Sequence, residues 1–275
     1  TRISADFGGP GTFANAGTYT KSGAALTDIG INFNNASSGV VNLDSGTLNL
    51  GGGGASTGLF NLAAGSTLGF NSGAYTLDGS VAAAGGSRVL VNGGSVTTVG
   101  SKTIGGLLEM SIGAFTANGP TTVATYLQSG GTLGGTGDVL ITGLATWSAG
   151  GMSGTGTTTT SGALAINGTA VHDLHAGRTL NTVGTTTWTN TSADSSRIRT
   201  GPGATLANTG LWQDQNAFNN RISPDFGSPS TFANAGSYAK SGAGSTDISI
   251  AFNNTGSVLV SGGALLLTGG FTNFS

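Results

Sequence analysis

The chain has 275 residues, a formal net charge of −2, and only 7% charged side chains, against about 25% in an ordinary globular protein. No basic run attracts a nucleic-acid backbone, no stretch of about 18 apolar residues can span a membrane as a helix, and the absence of cysteine removes disulfides and thiolate metal sites. Glycine (52 residues), with Thr, Ser and Asn, stands where Glu, Lys and Gln would build long solvated helices, while 37% hydrophobic residues supply a core if it is narrow and shared among many short strands.

The pattern begins at once. Arg2-Ile3 leads into Asp6-Phe7-Gly8, which spells a kinase signature without its partner motifs and reads instead as a buried Phe and a turn. Phe33-Asn34-Asn35 reads as a buried Phe followed by an Asn corner, since Asn tolerates the left-handed conformation and bonds its own backbone; stacked copies of such a corner would form an Asn ladder. Val41-Asn42-Leu43-Asp44-Ser45-Gly46-Thr47-Leu48-Asn49-Leu50 is the cleanest strand-corner-strand unit, with alternation at period two and a Gly break where positive φ is allowed. The pattern returns at Val89 to Val96, Ser161 to Ile166 and Val258 to Leu267. Hairpin dipeptides are few: Asn92-Gly93, Asn118-Gly119, Asn167-Gly168 and Asp78-Gly79. Gly51 to Gly54 and Gly130 to Gly137 lack the Gly-Lys that a phosphate loop needs before a helix.

Further on, Trp147, Trp188 and Trp212 lie within strand patterns, so at least two are expected to plug the core. The densest threonine runs, Thr157 to Thr160 and Thr185 to Thr187, do not recur at one coil position, which argues against a water-ordering face. The two histidines sit in Val171-His172-Asp173-Leu174-His175. Positions three apart on a strand point to opposite faces, so one metal held by both is not expected. Asp194, Arg197 and Arg199 form the one dense charge group and read as a polar loop. With a single glutamate, Glu109, and scattered aspartates, no paired carboxylates for general acid-base work stand out, and neither a cofactor nor a metal site is expected.

The chain then repeats. Arg221-Ile222-Ser223-Pro224-Asp225-Phe226-Gly227 matches the opening. About 25 of the first 35 positions are identical at an offset of roughly 219 residues, a self-similarity that marks stacked architectures. The organisation is one long repeat unit over 1–219 and the start of a second copy over 220–275. The opening in mid-pattern reads as a processed or partial chain. Val41, Leu43, Leu48 and Leu50 become Val258, Val260, Leu265 and Leu267, all apolar, whereas Asn42 and Asn49 become Leu259 and Leu266. The second copy is therefore apolar on both strand faces, and Leu259 and Leu266 are a candidate assembly face unless a cap or loop covers them.

Phe-Asn-Asn, Gly-Thr-Leu-Asn-Leu, Gly-Gly-Thr-Leu-Gly-Gly-Thr-Gly (Gly130 to Gly137) and Gly-Arg-Thr-Leu-Asn (Gly177 to Asn181) resemble the large repetitive exported proteins of bacteria, of the filamentous-haemagglutinin and autotransporter-passenger β-helix type. That resemblance implies surface display, adhesion or fibre formation and carries over no catalytic residue. The expected fold is all-β, a right-handed parallel β-helix with uneven coils of about 20 residues, giving about a dozen coils and a rod on the order of 60 Å. The expected role is a non-enzymatic, structural subunit of a bacterial fibre, sheath or adhesin stalk, extracellular or at the cell surface, with other copies of itself as partners. A carbohydrate-binding adhesin module that takes surface glycans is the second reading, and a β-helix polysaccharide-degrading enzyme the third.

Overall fold

The computed structural model describes residues 1–6, 8–9 and 11–274. Among them are 33 strands and no helix, and the described pairs are parallel, stacked about 21 residues apart as a β-solenoid of roughly 12 turns. Phe7, within the opening Asp-Phe-Gly, lies outside the described residues. The chain divides into two compact units.

The first unit comprises Thr1–Tyr126 and Gly131–Leu133. Its early strands recur in threes, each lying on the strand three before it: Asn32–Asn35 on Thr12–Asn15, Val40–Leu43 on Thr18–Lys21, and Thr47–Leu50 on Leu26–Ile29. Beyond Arg88 the strands lengthen into Arg88–Thr98 and Lys102–Ala117, paired with register shifts around Asn92. Inside, like residues lie over like. Leu48 stacks on Leu68, Leu68 on Val89 and Val89 on Leu108, all within 1% of full burial. The Phe13 and Phe33 rings stack at 5.3 Å. Val41, Leu43, Leu48 and Leu50, the inward set of the strand-corner-strand unit, are completely buried.

The second unit comprises Leu127–Gly130 and Gly134–Ser275 and contains the boundary between the two sequence copies. Its coils differ in length. The step from Leu180 to its partner Leu206 is longer than that from Thr158 to Leu180, and the step from Phe232 to Phe252 is shorter than either. All three tryptophans are buried in its core. Trp212 lies edge-on between Trp188 at 6.2 Å and Phe232 at 5.0 Å, and truncating such a residue to Ala typically costs about 3–5 kcal/mol.

One column of corner glycines has a different cause from the one expected. Gly210, Gly236 and Gly256 do not adopt positive φ. A Cβ on each would collide with the carbonyl oxygen of Gly184, Gly210 and Gly236, respectively, in the coil below. These corners are glycine because stacked backbones touch there. Gly46, by contrast, does turn its corner with φ 72°.

The Asn ladders form, but from strands and not from left-handed corners: Asn35 and Asn254 close the strands Asn32–Asn35 and Ala251–Asn254, and neither has positive φ. Asn208 donates to Asn234, Asn234 to Asn254 and Asn254 to Asn273, at 2.7, 2.7 and 2.8 Å. In the first unit Asn15 donates to Asn35 at 2.8 Å and Asn35 to Ser56 at 3.1 Å. A buried amide must satisfy both donor and acceptor, and an identical neighbour one coil away supplies both.

Candidate functional site

The coil geometry decides which polar side chains meet. In the second unit the longer coils bring Asp173 under Arg199 and Asp214 under Lys240. The Arg199 guanidinium donates Nε and Nη2 to the two Asp173 oxygens at 2.7 and 2.8 Å, a bidentate pair that raises the Arg199 pKa. Arg197 donates to Asp225 at 2.6 Å, and Arg221 lies 3.3 Å from Asp194. The charge group expected as one polar loop is thus a set of separate ion pairs on an outer face, with Asp194 and Arg197 in different pairs. Glu109 is likewise held by Arg88, at 3.0 Å, in the first unit.

Above this face stands the loop 224–230, which repeats the opening of the chain. The expectation of a buried Phe after Asp225 fails: Phe226 is 45% exposed. Its loop is held by Asp225 N–H to the Ser223 carbonyl, Phe226 N–H to Thr200 and Gly227 N–H to Pro224, each at 3.0 Å, so the ring leaves the stacked wall. It meets His175 at 5.2 Å between centroids, and the Arg199 guanidinium carbon lies 5.0 Å from its centre. Gly201 lies against the bases of both side chains; a Cβ there would lie 2.9 Å from the Cβ atoms of both His175 and Phe226.

The histidines do face opposite ways. His172 is fully buried, its Nε2 donating to the Trp147 carbonyl at 2.8 Å, and loss of solvent lowers its pKa to about 4. His175 is half-buried beside Phe226.

Two clefts share one design. The first, about 240 Å³ in volume, is lined by Ala5, Gly9, Gly11, Gly30, Ile31, Asn32 and Gly52. The second, about 160 Å³, is lined by Pro224, Ser228, Pro229, Ser230, Ser249, Ile250, Ala251 and Gly269. Ala5, Gly9, Gly11, Gly30, Ile31 and Asn32 are the repeat equivalents of Pro224, Ser228, Ser230, Ser249, Ile250 and Ala251. The sequence repeat is therefore also a repeat of surface shape, with hydroxyls in the second copy where the first has glycines.

Inside the second unit two cations are fully buried. Lys240 donates to Asp214 at 3.4 Å and to the Gly242 carbonyl at 2.9 Å, while Asp214 also accepts from the Tyr238 hydroxyl and the Asn216 amide, both at 2.8 Å. Burial and the Asp214 charge push the Tyr238 pKa well up. Arg178 donates to the Thr158 hydroxyl and to the Gly135 and Gly137 carbonyls. A uniform coil length hides the two acid-base pairs, because both Asp173–Arg199 and Asp214–Lys240 stand 26 positions apart. A search for opposite charges at that separation finds them.

The same unevenness hid a threonine row. Thr157, Thr179, Thr205 and Thr231 occupy one outward position on successive coils, which corrects the expectation for Thr157, whereas Thr185, Thr186 and Thr187 lie in register with Leu211, Trp212 and Gln213 and do not recur. Unequal spacing along the chain conceals the row in the linear sequence. Leu259 and Leu266 pair with Ala239 and Asp247 and are 63% and 47% exposed. Val258 and Val260, in register with the fully buried Tyr238 and Lys240, are also exposed, because no described coil lies above them. Comparison with family models, curated proteins and solved structures gave no significant match.

Proposed function

We propose that this chain is a structural, non-enzymatic subunit of a bacterial fibre, sheath or adhesin stalk, extracellular or at the cell surface, whose partners are further copies of itself. The filamentous-haemagglutinin and autotransporter-passenger type remains the family resemblance on which its bacterial, exported character rests. The observation that carries the reading is the ladder: Asn, Phe and strand backbone recur coil upon coil in the same register, so each coil presents the pattern that the next one needs. Low charge weakens repulsion between neighbouring molecules. The exposed Leu259 and Leu266 supply apolar area for lateral contact. Assembly is favoured over catalysis because Asp173, Asp225, Asp194 and Glu109 are each held by an arginine.

Negative-stain electron microscopy across a concentration series tests this. Uniform fibres that lengthen with concentration are the expected result; separate single particles at every concentration overturn self-assembly.

A further inference from the structure

We propose that the loop carrying Phe226 forms, with the side chains beneath it, a binding site for a neutral pyranose of a polysaccharide. The inference goes beyond assembly and does not rest on it. Three observations converge on one outer patch of the second unit. The first is an aromatic ring, Phe226, held out at 45% exposure on a loop fixed by three backbone hydrogen bonds. Arg199 covers one face of the ring, and the apolar C–H face of a pyranose matches the other. The second is the bordering set of two ion pairs, bidentate between Arg199 and Asp173 and a single contact between Arg197 and Asp225. Arg199 bonds Asp173 through Nε and Nη2, leaving its Nη1 edge for a ligand hydroxyl. Fixed donors and acceptors beside an apolar platform are what orient a polyhydroxylated ligand.

The third observation is charge balance. Two arginines and two aspartates cancel, so an anionic sugar meets carboxylates and a cationic one meets guanidinium groups; a neutral ring opposes neither. His175 packs against Phe226, with Gly201 against the bases of both side chains, and helps fix the ring's tilt, so little ordering remains for binding to impose. The loop also bounds the serine-lined cleft at Ser228, Ser230 and Ser249. These hydroxyls lie where the first copy has glycine, which gives the second copy the more polar surroundings.

The test is isothermal titration of the full chain with cellohexaose, laminarihexaose and maltohexaose, and with heparin as the anionic comparison. At least one neutral hexasaccharide is expected to bind, with a Kd on the order of 10 μM to 1 mM, as suits one exposed site with few contacts. Phe226→Ala should weaken that binding at least tenfold with an unchanged melting temperature, Phe226→Trp should retain it, and Phe218→Ala, at another exposed phenylalanine, should bind as the parent does. Gly201→Ala should weaken it by separating the rings. No binding of any neutral hexasaccharide, a preference for heparin, or unaltered binding by Phe226→Ala overturns the proposal. Each result is independent of whether the chain forms fibres.

Discussion

Replacing Lys240 by Met tests how the second unit tolerates charge in its interior. Lys240 and Asp214 are both completely shielded from solvent, so removing the ammonium leaves a buried carboxylate without its cation. Such a loss typically costs about 3–5 kcal/mol. Asp214 keeps hydrogen bonds from Tyr238 and from both the side chain and backbone N–H of Asn216, which places Lys240→Met near the low end, about 3 kcal/mol. Asp214→Asn alone strands the ammonium against the Gly242 carbonyl and costs a similar amount. The double variant carries neither charge, and the introduced amide can still meet Tyr238 and Asn216. Its loss should therefore match one single variant rather than their sum, a coupling of about 3 kcal/mol. Lys21, the repeat equivalent, donates to the Ser22, Gly23 and Ser45 carbonyls and has no carboxylate partner among the described residues, and Lys21→Met should cost about 1 kcal/mol. Equilibrium unfolding in urea, followed by circular dichroism with slopes compared between variants, measures all four. Additivity of the two single losses to within about 0.5 kcal/mol would refute the claim that the two charges exist for each other.

Asn234→Ala interrupts the amide ladder, leaving the Asn254 oxygen without its donor, and should cost about 2 kcal/mol in the same assay, whereas Asn253→Ala, one position along and facing outward, should cost under about 0.5 kcal/mol. His172 has a folded pKa of about 4, below the 6.5 of a free imidazole, so the unfolded chain binds the proton more readily. Its contribution is complete above about pH 6.5 and is lost as pH falls towards 4, about 3 kcal/mol in all; stability measured at pH 7 and pH 4.5 should therefore fall less in His172→Gln than in the parent, and equal falls would count against a buried neutral ring. If Leu259 and Leu266 join neighbouring copies, Leu259→Asp with Leu266→Asp should abolish fibres in electron micrographs at concentrations where the parent forms them, without lowering the melting temperature, since both side chains already face solvent.

The solenoid is legible in the chain alone. Alternation at Val41 to Leu50, scarce hairpin dipeptides and the long internal repeat describe a chain that stacks strands in parallel, and all three are local or self-comparative signals readable without coordinates. Phe33-Asn34-Asn35 announced its ladder because a buried amide beside a buried ring has few other ways to be satisfied. The opposed histidines followed from strand alternation alone. Which residues lie one coil apart emerges only once the coils are wound. Vertical partners stand as few as 19 positions apart at Asn254–Asn273 and as many as 26 at Thr182–Asn208. A change of one residue alters every vertical partner, so the Asp173–Arg199 and Asp214–Lys240 pairs and the Thr157 row were hidden by their own spacing. Phe226 shows the same limit from the other side. Its neighbours in sequence suggest a core residue, yet backbone bonds to Thr200 and Pro224 lift its loop off the wall. The ring is left in water beside Arg199 and His175, which belong to earlier coils and which only the winding of the chain brings to it.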